Sequence, residues 1–117
     1  MQIRVKLWLE EEEKVLFGEG RLKLLQAVEE AGSLAGAARL LSMSYRAAWG
    51  RLKASEERLG FPLVEKSGLG RHAMQLTPAA RSLMERYQAL QDKADQALAP
   101  LQRAIARDLQ KFRDQQK

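Results

Sequence analysis

A stretch near the middle of the chain, "SYRAAWGRLK", brings positive charges and hydroxyl groups together at helical spacing. Its basic residues are Arg46, Arg51 and Lys53, and no acidic residue lies among them. Guanidinium and ammonium groups bind phosphate oxygens, and an arginine in the first turn of a helix can also pair with guanine O6 and N7. Ser44 and Tyr45, at the start of the stretch, can donate hydrogen bonds to phosphate. The chemistry available to this stretch is therefore recognition of a nucleic acid.

The charge distribution supports this interpretation, although a solvated helix face would show the same local excess. The chain has 117 residues and a formal net charge of +5. Residues 1–20 carry three basic and five acidic groups, whereas residues 21–60 carry seven basic and four acidic groups. The positive charge is thus concentrated around the stretch, where a phosphate backbone would meet it.

The same composition excludes most catalytic chemistries that use no cofactor. The chain has no cysteine and one histidine, His72, so it offers neither thiol catalysis nor thiolate metal ligands. No pair of carboxylates accompanies a base, and "GEG" and "GLG" lack the residues that complete a phosphate-binding loop. We expect neither an enzyme nor a metal or cofactor site. The sequence has no apolar span or signal peptide, which predicts a cytoplasmic protein.

The elements that must position these residues begin with a β-hairpin. Alternation of apolar and polar side chains over residues 2–9 predicts a half-buried strand. "EEEEK" is typical of a turn, and "VLF" at 15–17 of a short return strand. From Arg21, apolar residues at helical spacing predict a first helix that ends near Gly32.

Two further helices follow, joined by a short turn. Ser33 can cap a helix over residues 34–41, and Ser44 can cap a third helix over residues 44–59. The second helix of such a pair can lie in the DNA major groove, with its first turn toward the base edges. The pattern therefore predicts a helix-turn-helix in which the third helix recognises DNA.

The apolar positions of these two helices agree with a close crossing. Helices that cross steeply near a turn need small side chains at the contact, which Ala38 and Ala48 supply. We expect Leu40 to face inward and Trp49 to lie at the margin of the core.

The segment "FPLVEKSGLGRHAMQLTP" predicts a wing, that is, a β-hairpin beside the recognition helix. Leu63 and Val64 favour a strand, "KSGLGRH" a flexible tip, and "AMQLT" the return strand. Lys66, Arg71 and His72 lie at the tip and can approach a phosphate or a minor groove.

A long helix should follow the wing. Thr77 can cap a helix that opens at Pro78, and apolar residues then recur every three or four positions as far as Phe112. Pro100 interrupts this pattern, so we expect either one sharply kinked helix or two helices that meet there. The apolar stripe is longer than a core of about eighty residues can cover. A second copy of the chain in a twofold dimer would bury the remainder.

These segments resemble a known family. "GSLAGAARLLSMSYRAAWGRLKASEERLGFPLVEK" followed by "LTPAARSLMERY" is similar to the winged helix-turn-helix of LysR-type regulators. "GEGRLKLLQAVEEAGS" with "MSYRAAW" resembles the N-terminal domain of ModE-type molybdate-responsive regulators, and the resemblance covers roughly residues 15–90. It implies operator binding as a homodimer, with Ser44, Tyr45, Arg46 and Arg51 facing the groove. ModE-type proteins continue into an oxyanion-binding domain that this sequence lacks, so neither molybdate nor another oxyanion is expected to bind this chain.

Together these features predict a mainly α (α+β) protein. We expect a winged helix-turn-helix DNA-binding domain over residues 1–78 and a C-terminal helical dimerisation extension over residues 79–117. The expected function is sequence-specific regulation of transcription by a homodimer bound to double-stranded DNA. Two alternatives stay open, namely a winged-helix protein-interaction module and a nucleoid-type DNA binder without a specific operator. The expected DNA-contacting residues are Ser33, Ser44, Tyr45, Arg46, Arg51, Lys53, Lys66, Arg71 and His72.

Overall fold

The computed structural model describes residues 3–117 and has four helices and two antiparallel two-stranded sheets. In chain order the elements are β1 (Leu9–Glu11), β2 (Lys14–Phe17), α1 (Glu19–Ala31), α2 (Leu34–Leu40), α3 (Tyr45–Leu59), β3 (Val64–Lys66), β4 (Met74–Leu76) and α4 (Pro78–Asp114). This is the mainly helical winged helix-turn-helix that the sequence predicts.

The N-terminal hairpin is shorter than predicted. Alternation predicted a strand over residues 2–9, of which the first lies outside the described residues, but regular pairing begins only at Leu9. A strand needs a partner along its length, and β2 offers four residues, so the pairing stops with Leu9 opposite Phe17. The segment before β1 contacts α4 instead, where the Tyr87 hydroxyl donates to the carbonyl oxygen of Leu7 at 2.7 Å.

The helix-turn-helix is delimited by the caps that the sequence predicts. α1 ends before Gly32, which has a left-handed φ of 73°. The Ser33 hydroxyl accepts a hydrogen bond from the Gly36 N–H at 3.0 Å and starts α2. The Ser44 hydroxyl accepts one from the Ala47 N–H at 3.0 Å and starts α3.

One hydrophobic core lies between the first three helices, the wing and the start of α4. The buried apolar residues of α1, α2 and α3 are Leu22, Leu24, Leu25, Ala27, Val28, Leu34, Ala37, Ala38, Ala48 and Leu52. The burial of both Ala38 and Ala48 confirms the small residues expected where α2 and α3 pack. Phe17 meets Tyr87 edge to face, with ring centroids 5.1 Å apart, and this contact joins β2 to α4.

Two side chains expected in or near the core lie outside it. Leu40 is 52% exposed, because Leu34, Ala37 and Ala38 occupy the buried face of the seven-residue α2. Trp49 is 48% exposed, because it lies about 100° around α3 from the buried Ala48. The expectations of an inward Leu40 and of Trp49 at the core margin are therefore wrong.

The wing is tied to the helical body at its base. β3 and β4 pair from Val64 opposite Leu76 to Lys66 opposite Met74. The Met74 N–H also donates to the carbonyl oxygen of Gly32 at 2.8 Å, which joins β4 to the end of α1. The wing is thereby fixed beside the start of α2.

α4 is a single helix of 37 residues. The Thr77 hydroxyl accepts from the Ala80 N–H at 3.2 Å and donates to the carbonyl oxygen of Pro62 at 2.8 Å, so the first turn of α4 is anchored to the wing. Of the two arrangements expected at Pro100, a division into two helices is wrong, because α4 continues through it. Pro100 is exposed, so water can bind the carbonyl that proline leaves unpaired. Within residues 3–117, no helix has the length and apolar character to cross a membrane.

Candidate nucleic-acid interface

The first turn of α3 is presented to solvent by the turn that precedes it. The Met43 N–H donates to the carbonyl oxygen of Ala38 at 2.9 Å, and Ser42 adopts a positive φ of 54°, so the chain reverses sharply between α2 and α3. Tyr45 is 55% exposed, and Arg46 is also exposed. Arg46 forms no ion pair within residues 3–117, which leaves its guanidinium free to bind a ligand.

Five of the nine predicted contact residues line one cleft beside this turn. The cleft has a volume of about 420 Å³ and lies between the starts of α2 and α3 and the wing. The predicted residues that line it are Ser33, Tyr45, Lys66, Arg71 and His72. Lys66 and Arg71 of the wing thus lie close to the hydroxyl groups of Ser33, which caps α2, and of Tyr45 in α3. Hydrogen-bond donors and positive charge converging in this way suit a phosphate group.

Ser44 adjoins this cleft as the cap of α3. Its oxygen already accepts the Ala47 N–H, but its hydroxyl hydrogen is free to donate. Ser44 and Arg46 therefore extend the surface formed by the cleft along the first turn of α3.

Arg51 lies elsewhere, beside α1. It lines a small depression with Arg21 and Ser55, where the Arg21 Nε donates to the Ser55 hydroxyl at 3.0 Å. Burial, and secondarily the nearby Arg58, lower the pKa of Arg21. Arg51 therefore adds positive charge to the opposite flank of α3 and is not brought to the cleft with the wing residues.

Lys53 is held among neighbours on α3. Its Nζ lies 3.3 Å from the Glu56 carboxylate and 5.9 Å from the ring centroid of Trp49. The second Glu56 oxygen accepts the Leu63 N–H at 2.7 Å, so Glu56 is itself fixed to the segment that leads into the wing. Trp49, which was expected at the core margin, also lies on this exposed side of α3. Its spacing of four from both Tyr45 and Lys53, which places the three on one side of a helix, was the signal that could have found it.

Residues 3–117 contain no cluster of three or more histidine, aspartate or glutamate side chains that could hold a metal ion. His72 lies in the exposed wing tip.

A helix-turn-helix followed by a two-stranded wing defines the class of winged helix-turn-helix proteins. A family model described as "Bacterial regulatory helix-turn-helix protein, lysR family" matches residues 20–81, and the chain belongs to this family. The family is described as one of regulatory helix-turn-helix proteins, which agrees with the winged helix-turn-helix expected from the sequence.

Curated relatives confirm the predicted resemblance to ModE-type proteins. The molybdenum transport protein ModE of Azotobacter vinelandii is 35% identical over 80 residues, which are 67% of this chain and 30% of the relative. The molybdenum-pterin-binding protein MopB of Rhodobacter capsulatus is 31% identical over 93 residues, which are 78% of this chain and 34% of the relative. The chain therefore spans about a third of the length of these relatives.

A solved structure agrees with the fold. The DNA-binding domain of CbnR in complex with DNA is 31% identical, has a TM-score of 0.56, and is matched over 74% of this chain and 95% of that domain. The likeness covers nearly all of a domain that was crystallised on DNA.

Proposed function

We propose that this protein regulates transcription by binding a specific double-stranded DNA site as a homodimer, with α3 in the major groove. The single observation that carries the proposal is the cleft in which Ser33, Tyr45, Lys66, Arg71 and His72 converge beside the exposed first turn of α3. The wing would lie over the DNA backbone next to the groove that α3 enters. The CbnR domain, which was solved with DNA, supports double-stranded DNA as the partner.

The contact residues divide into two chemical roles. Arg46 lies in the first turn of α3, forms no ion pair within residues 3–117, and is proposed to bind guanine O6 and N7. Ser33, Ser44, Tyr45, Lys66, Arg71 and His72 are proposed to bind phosphate, which positions the protein without specifying sequence. Arg51 and Lys53, on the two flanks of α3, are proposed to bind phosphates farther along the groove.

Residues 79–117 are proposed to form the dimer, and residues 1–78 to bind DNA. The part of α4 that extends away from the core keeps large apolar side chains exposed, namely Leu101 at 62%, Ile105 at 49% and Phe112 at 54%. Their spacing of four and seven residues places them on one face of the helix. A second copy of α4 would cover this face on both chains at once, as a twofold interface requires.

Selection of bound fragments from a genomic DNA library tests the proposal. The wild type, Arg46→Ala and Arg103→Ala are compared at about physiological salt; Arg103 is exposed and lies on the side of α4 away from its apolar stripe. The wild type and Arg103→Ala should enrich one twofold-symmetric motif. Arg46→Ala should lose the preference at a guanine in each half-site, a discrimination of about 1–3 kcal/mol per half-site.

Two other results would contradict the proposal. Weak enrichment with no motif in all three proteins would indicate a nucleoid-type binder. Binding that hardly changes with salt concentration would indicate a protein-interaction module, because phosphate binding weakens linearly in the logarithm of salt concentration. The proposal does not extend to molybdate or another oxyanion, which we do not expect this chain to bind.

A further inference from the structure

We propose that Trp49 is a specificity-determining residue that recognises the C5-methyl group of thymine in the DNA site. The proposal rests on the proposed function, because it requires α3 to lie in the major groove. In addition to the proposed contact of Arg46 with guanine, Trp49 would contact a thymine.

The placement of Trp49 motivates the proposal. Tryptophan is highly buried on average in folded proteins, whereas Trp49 is 48% exposed. It follows Arg46 by three residues and Tyr45 by four, so it lies on the same side of α3 one turn farther along. A helix that inserts Arg46 into the groove therefore brings the indole of Trp49 to a neighbouring base pair.

The indole is held in position before any DNA binds. Lys53 Nζ lies 5.9 Å from the ring centroid, and Lys53 is itself held by Glu56 at 3.3 Å. Glu56 in turn accepts the Leu63 N–H at 2.7 Å. These contacts place the Lys53 ammonium over one face of the ring, which restricts the rotamers of Trp49 and reduces the entropy lost on binding. Lys53 is thus a positioning residue for Trp49 as well as a positive charge.

The chemistry of the ring selects the base. An indole offers a broad apolar surface, one N–H donor and no acceptor. Among the four bases, only thymine presents a methyl group on its major-groove edge, and this C5-methyl favours apolar contacts. Covering one methyl group stabilises the complex by about fourfold in affinity. One contact in each half-site therefore gives about fifteenfold for the dimer.

Removal of that methyl group from the DNA tests the inference. The probe is the duplex that the wild type enriches most strongly, prepared with deoxyuridine in place of each thymine in turn at symmetric positions. Affinities of the full-length wild type, Trp49→Ala and Leu40→Ala are measured by fluorescence anisotropy. Leu40 is a second exposed apolar residue of the helix-turn-helix, at 52%, and serves as the matched control.

At one symmetric pair of thymines, uracil should lower the DNA affinity of the wild type and of Leu40→Ala by about fifteenfold. The affinity of Trp49→Ala should not change at that pair. Trp49→Phe keeps an aromatic ring and should retain part of the affinity loss that uracil causes. This variant tests the inference if Trp49→Ala does not fold stably. Lys53→Gln should reduce the ratio of thymine to uracil affinity, whereas loss of a phosphate contact alone would weaken both duplexes equally.

The results separate this inference from the function on which it rests. A uracil penalty absent from the wild type at every thymine, or one that persists unchanged in Trp49→Ala, would overturn the role of Trp49 while the enriched motif stands. Failure of the wild type to enrich any motif would overturn the proposed function itself, and the inference with it.

Discussion

At the residue scale, the hydroxyl of Tyr87 joins segments that are far apart in the chain. It donates to the carbonyl oxygen of Leu7 at 2.7 Å and accepts from the Gln91 amide at 3.3 Å. The ring also packs edge to face on Phe17. Burial, and secondarily the charge of Glu19, raise the pKa of Tyr87 above its ordinary value. The protonated phenol is therefore part of the folded state.

Tyr87→Phe should lower the free energy of unfolding by about 1–2 kcal/mol near neutral pH, because the Leu7 carbonyl loses its donor. The raised pKa of Tyr87 also determines the direction in which stability changes with pH. The stability that the phenol contributes is complete below the unfolded pKa of about 10 and is lost as pH rises above it, since the unfolded state releases its proton first. Urea unfolding should therefore show that the free energy of unfolding falls more between about pH 8 and about pH 10.5 in the wild type than in Tyr87→Phe.

Tyr45→Phe is the control for this experiment, because Tyr45 is 55% exposed and its hydroxyl has no hydrogen-bond partner within residues 3–117. It should follow the wild type at both pH values. Equal losses in the wild type and Tyr87→Phe would show that the phenol does not link folding to pH.

The residues of the proposed DNA-binding surface are only partly predictable from the sequence. Ser33, Lys66 and Arg71 could be named from the sequence because a helix-turn-helix with a wing places cap and tip residues beside each other. Trp49 was assigned to the core margin because a tryptophan usually buries its large apolar surface. Its exposure follows from which face of α3 packs on α1 and α2, which the spacing of residues within α3 does not specify.

At the scale of elements, the approach of α2 to the end of α1 depends on Gly36. A Cβ atom at this position would lie 2.7 Å from the Ala31 Cβ and 3.0 Å from the Ser33 hydroxyl. Ala31 is the last residue of α1 and Ser33 caps α2, so neither can move without shifting a helix end. The absence of a side chain at Gly36 thus permits the tight connection.

Gly36→Ala should destabilise the fold by about 1–3 kcal/mol, although alanine favours helices more than glycine does. Gly50→Ala is the matched change in α3, where no atom lies within 4 Å of the added Cβ, and it should stabilise the fold by about 1 kcal/mol. Urea unfolding measures both. Stabilisation by both substitutions would mean that α1 and α2 can separate freely.

The helices were more predictable than the strands, for a local reason. Ser33, Ser44 and Thr77 cap their helices through hydrogen bonds to residues three positions on, so the sequence nearby contains the whole signal. The extent of β1 depends instead on how many residues β2 offers as a partner. α4 continues through Pro100, which is exposed, and alternation and spacing do not reveal this exposure.

At the scale of the whole molecule, α4 makes the chain elongated. The longest dimension is 66 Å, against 29 and 24 Å for the other two. Beyond Tyr87, α4 has no fully buried residue, so its outer part contributes little to the core of its own chain. This is the shape expected of an element whose apolar face is completed by another copy.

Ile105→Glu should convert a dimer to a monomer, because each twofold interface would then bury two unpaired carboxylates. Arg103→Glu, two residues away on the opposite side of α4, should leave the dimer intact. Sedimentation equilibrium gives the mass of each variant. The affinity for the enriched DNA site should fall in Ile105→Glu and stay at the wild-type value in Arg103→Glu. A dimer that persists in Ile105→Glu would place the interface elsewhere.

The anchoring of α4 by Thr77 has a mechanical consequence. A helix of 37 residues is about 55 Å long, at about 1.5 Å per residue. A tilt of about 5° at its root would displace its tip by about 5 Å, which is close to one helical turn. The two hydrogen bonds of the Thr77 hydroxyl, to Pro62 and Ala80, hold the first turn of α4, where such a tilt would occur. In the proposed dimer, the angle set at one buried threonine would therefore determine how accurately the two α3 helices are spaced.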